Sequence, residues 1–250
     1  MFLKKRSEPI LETVQLLAVP YAAGSLNSYQ QMKKLSGYEL LSYEMPGRAR
    51  RYAESGYTMQ DVVGEIVKTI DFAKPYLLFG HSMGAFIAYE TCAYIERLQL
   101  KLPEKLIVSG QIPPGSVQAQ LYEKEMTYQA TLSYLKSMGG TPDEVLQNEE
   151  LIHYYTKILK DDFSLLKHYF QDGCSASIET DIAVWCGKDD AMISTSEVRK
   201  WHQATAGRCT ITDFAGGHFF INEVFGDLHG LERQLHVCRN AYRGERDDLY

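Results

Sequence analysis

Ser82 stands between two glycines in "LLFGHSMGAF", residues 77–86, where an apolar run gives way to small residues. A G-x-S-x-G pattern at a strand end has two readings. Gly80 and Gly84 can simply let a strand and a helix pack closely, with Ser82 as the helix cap. Alternatively, Ser82 is a nucleophile held on a strained elbow. A serine hydroxyl attacks only when an imidazole takes its proton, and the imidazole needs a carboxylate to fix its tautomer and balance its charge. The other residues required for that chemistry decide between the readings.

Of seven histidines, His218 is the best base, in "FAGGHFF" just past the strand-like "CTITDF", with Gly216 and Gly217 permitting an irregular loop. His81 adjoins the serine and should point away from it on so sharp a turn. His153, His168, His202, His229 and His236 lie in helix-like or polar stretches and read as surface or packing residues. For the acid, Asp181 opens its strand at the wrong end, Asp213 lies within a strand, and the loop after "KLIVSG" has no carboxylate until Glu123. Asp189 and Asp190 in "CGKDDAMIS" remain, one to orient His218 and the other to face solvent. The oxyanion of a tetrahedral intermediate also needs two backbone N–H donors. Met83, opening the helix after Ser82, is expected to supply one, and the turn "PYAAG" the other, from Ala22. Nucleophile, acid and histidine then follow one another along the chain, each at the carboxyl end of a strand, and the catalytic reading of Ser82 prevails.

The elements that must position these groups alternate. "TVQLLAVP" (13–20), "YELLSYEMPG" (38–47), "PYLLFG", "KLIVSG" (105–110), "DIAVWCG" (181–187) and "RCTITDF" (208–214) read as strands. Between them, a segment from Asn27 to Leu35 is helix-like, and "TMQDVVGEIVKTI" (58–70) has apolar residues at helical spacing with Thr58 as N-cap. "AFIAYETCAYIERL" is an apolar helix, and the close from Asn222 to about Tyr242 is expected to be helical. Strands separated by helices predict an α/β fold with a mainly parallel sheet flanked by helices. From about 116 to 173 the rhythm breaks into consecutive helices, with Pro142 one residue inside the second. A helical insertion there is expected to be a lid, and Met126, Tyr134, Leu135, Met138, Tyr154 and Tyr155 are its candidate pocket residues, although helical spacing alone equally describes core packing.

The 250 residues, 45% of them apolar, suit one large domain. A net charge of −6 argues against general nucleic-acid binding. No signal peptide or membrane span is legible, so cytoplasmic residence is expected. Cys92, Cys174, Cys186, Cys209 and Cys238 are scattered, without the pairing of a disulfide framework or zinc site.

The chain resembles the type II thioesterases that accompany nonribosomal peptide and polyketide synthases, which are α/β-hydrolases. "PYAAGS", "YEMPGRARR", "FGHSMGAF", "SGQIPP", "GGTPDEVL", "LKDDFSLLKHY", "CGKDDAMIS" and "GGHFFI" occur in family order, nearly end to end. The resemblance implies a single α/β-hydrolase thioesterase domain over 1–250 with the lid at about 116–173. It places the acid three residues after Gly187, selecting Asp190 over Asp189, and supports Ser82, His218, Ala22 and Met83 in the roles above. The family often has two glycines after the alanine of the first turn, whereas this chain has Ala23 and then Gly24. The implied reaction is hydrolysis of acyl groups from the phosphopantetheine arm of acyl or peptidyl carrier protein domains, editing stalled or misprimed assembly lines. It requires no metal or cofactor and no membrane or nucleic-acid partner. The cluster "GRARR" (Arg48, Arg50, Arg51) is either a solvated loop or a docking patch for an acidic carrier.

Two other classes share these residues. A general acyl-CoA thioesterase or carboxylesterase would use the same machinery and differ in substrate preference. A non-catalytic carrier-binding protein would have no use for an intact Ser82, Asp190 and His218.

Overall fold

In a computed structural model, which describes residues 12–240, six parallel strands form one sheet. They are β1 (Val14–Val19), β2 (Tyr38–Ser42), β3 (Tyr76–His81), β4 (Lys105–Ser109), β5 (Ile182–Gly187) and β6 (Cys209–Phe214), in spatial order β2-β1-β3-β4-β5-β6. β1, β3, β4 and β5 are buried on both faces, which is why they read as continuous apolar runs instead of alternating ones.

Alternate residues of these strands feed different cores. Leu17, Val19, Leu78, Val108 and Val184 join α1 (Met59–Val67) and α2 (Met83–Arg97) on one face. Leu16, Ala18, Phe79, Ile107 and Trp185 pack on the opposite face. There they meet a 3₁₀ segment, Leu26–Lys34, and the closing helices α7 (Ile221–Gly226) and α8 (Leu228–Asn240). Thr58 caps α1 as expected: its hydroxyl accepts Asp61 N–H at 3.2 Å while Asp61 returns a bond to Thr58 N–H at 2.9 Å. α2 is buried nearly all round, matching its apolar sequence.

The strand order reverses between β1 and β3, which pair as Val19↔Gly80 at their carboxyl ends. Chains leaving these two strands run to opposite sides of the sheet, so a crevice opens between them. "PYAAG" and Ser82 are the first residues beyond those strand ends.

Between β4 and β5 come α3 (Tyr128–Met138), α4 (Asp143–Leu146) and α5 (Glu149–Asp172), while α6 (Thr195–Val198) follows β5. Met126, Leu135, Ile152 and Leu159 form a separate small core, against which Ala22 and Ala23 pack. Several boundaries differ from expectation. Residues before Thr127 make only 3₁₀ turns, at Pro114–Ser116 and Ala119–Tyr122. Their place is set by tertiary contact: the Tyr122 ring stacks on Phe170 at 5.5 Å and meets Phe163 edge-on at 5.4 Å. Pro142 stands at the cap of α4, not inside a long helix, and Asn148 starts α5 by accepting Leu151 N–H at 3.1 Å. The second strand stops at Ser42, after which Tyr43 and Met45 turn into the core. The closing helix breaks at Asp227, and its expected continuation to Tyr242 runs beyond the described residues.

Candidate active site

Ser82 sits between β3 and α2 at φ 54°, ψ −120°, a strained conformation for a residue with a side chain. The flanking glycines show why the strain persists. A Cβ on Gly80 would lie 2.0 Å from Gly84 O, and one on Gly84 would lie 2.3 Å from Val19 O. Only glycine lets α2 begin so close to the strand that feeds it and to β1 beside it. Gly84→Ala, which in an open helix would gain stability from propensity, is therefore expected to lose about 1–3 kcal/mol by overpacking. Urea unfolding of the variant reads this directly, and unchanged stability would contradict the close approach.

His218 follows β6 in the loop that Gly216 opens at φ 105°. Its Nδ1 is 2.8 Å from Asp190 Oδ2, and both side chains are buried. Asp190 is fixed in turn, its Oδ1 accepting Met192 N–H at 2.9 Å. Asp189, the other candidate, is exposed. Asp181 is engaged elsewhere, 3.1 Å from Lys105 Nζ. The Asp190 contact leaves His218 Nε2 free: it is buried and has no hydrogen-bond partner among the described residues. Ser82 and His218 border the same cavity.

His81 lies beneath this pair. Its ring centroid is 4.9 Å from that of His218, and its Nδ1 is 3.0 Å from Ser109 Oγ. Burial, and secondarily the neighbouring His218, holds His81 well below the usual imidazole range, so it is a neutral floor under His218.

Met83 follows Ser82 directly in the chain, and Ala22 borders the same cavity as Ser82. Met83 opens α2, and the first N–H groups of a helix have no partner within it. In the β1 loop, Gly24 N–H bonds Tyr21 O at 2.8 Å and Ala23 N–H bonds Asp162 Oδ2 at 2.8 Å, whereas Ala22 N–H has no partner among the described residues. Ala23, where the family often has glycine, takes φ 62° and so keeps the left-handed turn that glycine would make.

Two cavities reach Ser82. One, of about 220 Å³, is bordered by Ala22, Tyr134, Leu135, Tyr155 and Asn222. The other, of about 430 Å³, has apolar walls that include Tyr122, Met126, Phe163 and Ile193. Tyr134 and Met138 of α3 border both. Tyr154, also a candidate pocket residue, instead stacks on Tyr52 at 5.4 Å. Among the described residues no group of three or more His, Cys, Asp or Glu side chains is placed to hold a metal ion, and no helix is long and apolar enough to cross a membrane.

The arginine cluster corrects the sequence reading, being neither a solvated loop nor an open basic patch. Arg48 is 1% exposed and paired with the fully buried Asp162. Arg51 bonds Glu54 at 2.6 Å and Glu65 at 2.7 Å, so each finds its own counter-charge, and only Arg50 is left exposed. No sequence signal joins Arg48 to a carboxylate that far along the chain. His81 was equally illegible as a support, since its role depends on the fold bringing the loop after β6 across the sheet to the end of β3.

A parallel sheet with a serine on a strained turn after β3 and a buried histidine–carboxylate pair after β5 and β6 has the α/β-hydrolase fold. The thioesterase domain model matches residues 14–232, and the chain belongs to the thioesterase family. Among curated relatives, thioesterase PikA5 of Streptomyces venezuelae is 27% identical over 91% of this chain and 83% of its own length. Gramicidin S biosynthesis protein GrsT of Aneurinibacillus migulanus is 30% identical over 84% of each chain. Among solved structures, ClbQ from the colibactin NRPS/PKS pathway superposes with a TM-score of 0.78 at 25% identity, covering 92% of this chain and 99% of that one.

Proposed function

We propose that this chain is a serine thioesterase that removes stalled or misprimed acyl groups from the phosphopantetheine arms of carrier proteins in a nonribosomal peptide or polyketide assembly line. The observation that carries the reading is Ser82 on its strained elbow, sharing a cavity with a histidine whose Nδ1 is held by Asp190 and whose Nε2 is free. The biosynthetic pathways in the relatives' names support the assembly-line setting.

In this account His218 Nε2 takes the Ser82 proton as Oγ attacks the thioester carbonyl. Asp190 holds the Nδ1–H tautomer and balances the imidazolium. The N–H groups of Ala22 and Met83 receive the oxyanion. Collapse breaks the C–S bond, and the pantetheine thiolate leaves with the proton from His218. Water, deprotonated by the same imidazole, then attacks the acyl-serine, and the carboxylic acid departs as Ser82 regains its proton. The steps call for no metal or bound cofactor.

The insertion of about 116–173 serves as a lid over Ser82, and the larger, apolar-walled cavity takes the acyl chain. A cytoplasmic setting agrees with five free thiols. Rates on an acetyl-loaded carrier protein, acetyl-CoA and a short oxoester, at equal concentration, test the proposal. Release from the carrier clearly faster than from CoA is expected. Equal rates, or hydrolysis of CoA or oxoester alone, would contradict the editing role and point to a general acyl thioesterase or esterase.

A further inference from the structure

Behind the loop that follows β1 lies a buried ion pair that the hydrolytic steps do not use. Arg48 Nη2 donates to Asp162 Oδ1, and the two side chains are 1% and 0% exposed. The other arm of each residue falls on the loop. Asp162 Oδ2 accepts Ala23 N–H at 2.8 Å, and Arg48 Nη1 donates to Gly24 O at 2.6 Å. Arg48 Nε also reaches Pro46 O at 3.4 Å, and Tyr57 O–H donates to Asp162 Oδ1 at 3.3 Å.

A buried pair of this kind is weak evidence for stability, because desolvation offsets much of the attraction. Burial pushes the Asp162 carboxyl upward, and Arg48 with the Ala23 amide opposes that shift by stabilising the ionised form. What the pair does have is position. It grips the loop on either side of Ala23 and Gly24, at the Ala23 N–H and at the Gly24 carbonyl, and so brackets Ala23 in its left-handed conformation, where an alanine has little intrinsic preference to stay.

We propose that Arg48 and Asp162 are positioning residues for the oxyanion hole, holding Ala23 and Gly24 so that the Ala22 N–H stays aimed at the thioester oxygen. The proposal rests on the serine mechanism above, with Ala22 as a donor. Because Asp162 belongs to α5, the hole is complete only while that helix lies against the β1 loop. The helical insertion and the oxyanion hole therefore act as one unit: displacing α5 disarms the site.

The test uses the full chain in three forms: Asp162→Asn, the double variant Arg48→Met/Asp162→Leu, and Ser82→Ala. Turnover of an acetyl-loaded carrier is measured together with the affinities of two pantetheine thioethers. The S-trifluoroacetonyl compound forms a tetrahedral adduct with an oxyanion, and the S-propyl compound does not. Asp162→Asn is expected to lower kcat by about 10- to 100-fold, with KM held within about two-fold. Affinity for the ketone should fall by a similar factor while that for the propyl thioether holds. The double variant removes both buried charges together, a change that often preserves folding. It should recover the wild-type melting temperature yet stay slow, which a purely structural pair would not do. It also carries the test if Asp162→Asn melts below the assay temperature.

Wild-type kcat and ketone affinity in the folded double variant would overturn the proposal. So would a loss of both thioethers together with a raised KM, because the pair would then only be shaping the pocket wall. Turnover surviving in Ser82→Ala would be a different failure, that of the serine mechanism itself.

Discussion

Ser82→Ala is expected to fold normally and to lose kcat by roughly 10⁴-fold or more, since removing the nucleophile leaves only binding and oxyanion stabilisation. Folding should survive because the side chain is small and alanine can occupy the elbow at φ 54° as serine does. The strain belongs to the backbone, which Gly80 and Gly84 hold in place by their close approach to each other and to Val19. Circular dichroism and a melting curve verify the fold, and steady-state release of acyl groups from a carrier reads the loss. A folded variant with more than a few per cent of wild-type turnover would remove Ser82 from the mechanism.

Asp190→Asn is the second large effect, with kcat expected to fall by about 10⁴-fold. Asp190 Oδ2 lies 2.8 Å from His218 Nδ1, and in the proposed mechanism it accepts the Nδ1–H hydrogen bond, which leaves Nε2 unprotonated and able to act as a base. The asparagine amide can present N–H in its place. The imidazole then accepts at Nδ1 and carries its proton on Nε2, the wrong nitrogen for activating Ser82. Asp189→Asn, in an exposed neighbour, should change kcat by no more than about two-fold. Stopped assays of the two variants side by side distinguish the carboxylates, and equal or reversed losses would overturn the assignment of the acid.

Much of this was legible in the chain because parallel strands buried on both faces must be apolar throughout. "LLAV", "YLLF", "LIVS" and "IAVW" could scarcely be anything else once helical segments separated them. The elbow was legible for a related reason, since close approach of backbone to backbone excludes every side chain and writes itself as glycine. What sequence patterning missed depends on distant partners. The 3₁₀ segment at Leu26–Lys34 kinks at Tyr29, whose hydroxyl reaches Val19 O at 3.1 Å, a tertiary demand no local periodicity encodes. The expected helix before Thr127 failed similarly, because Tyr122 is held by Phe163 and Phe170 of a later helix. At the site, Ser82 and His218 were marked by their glycines. Choosing Asp190 over Asp189 needed the family pattern, because two adjacent aspartates differ only in which way the turn points them. Arg48 read as a loop charge because its counter-charge, Asp162, arrives from α5, far along the chain.

The central claim is that Ser82 is a nucleophile activated through His218 and Asp190. The most direct measurement treats the folded protein with a fluorophosphonate and follows the adduct by intact mass and peptide mapping. A single adduct on Ser82, formed rapidly in the wild type and much more slowly in Asp190→Asn, is the predicted result. No adduct on the folded chain, an adduct on another residue, or equal labelling rates in the two proteins would contradict it.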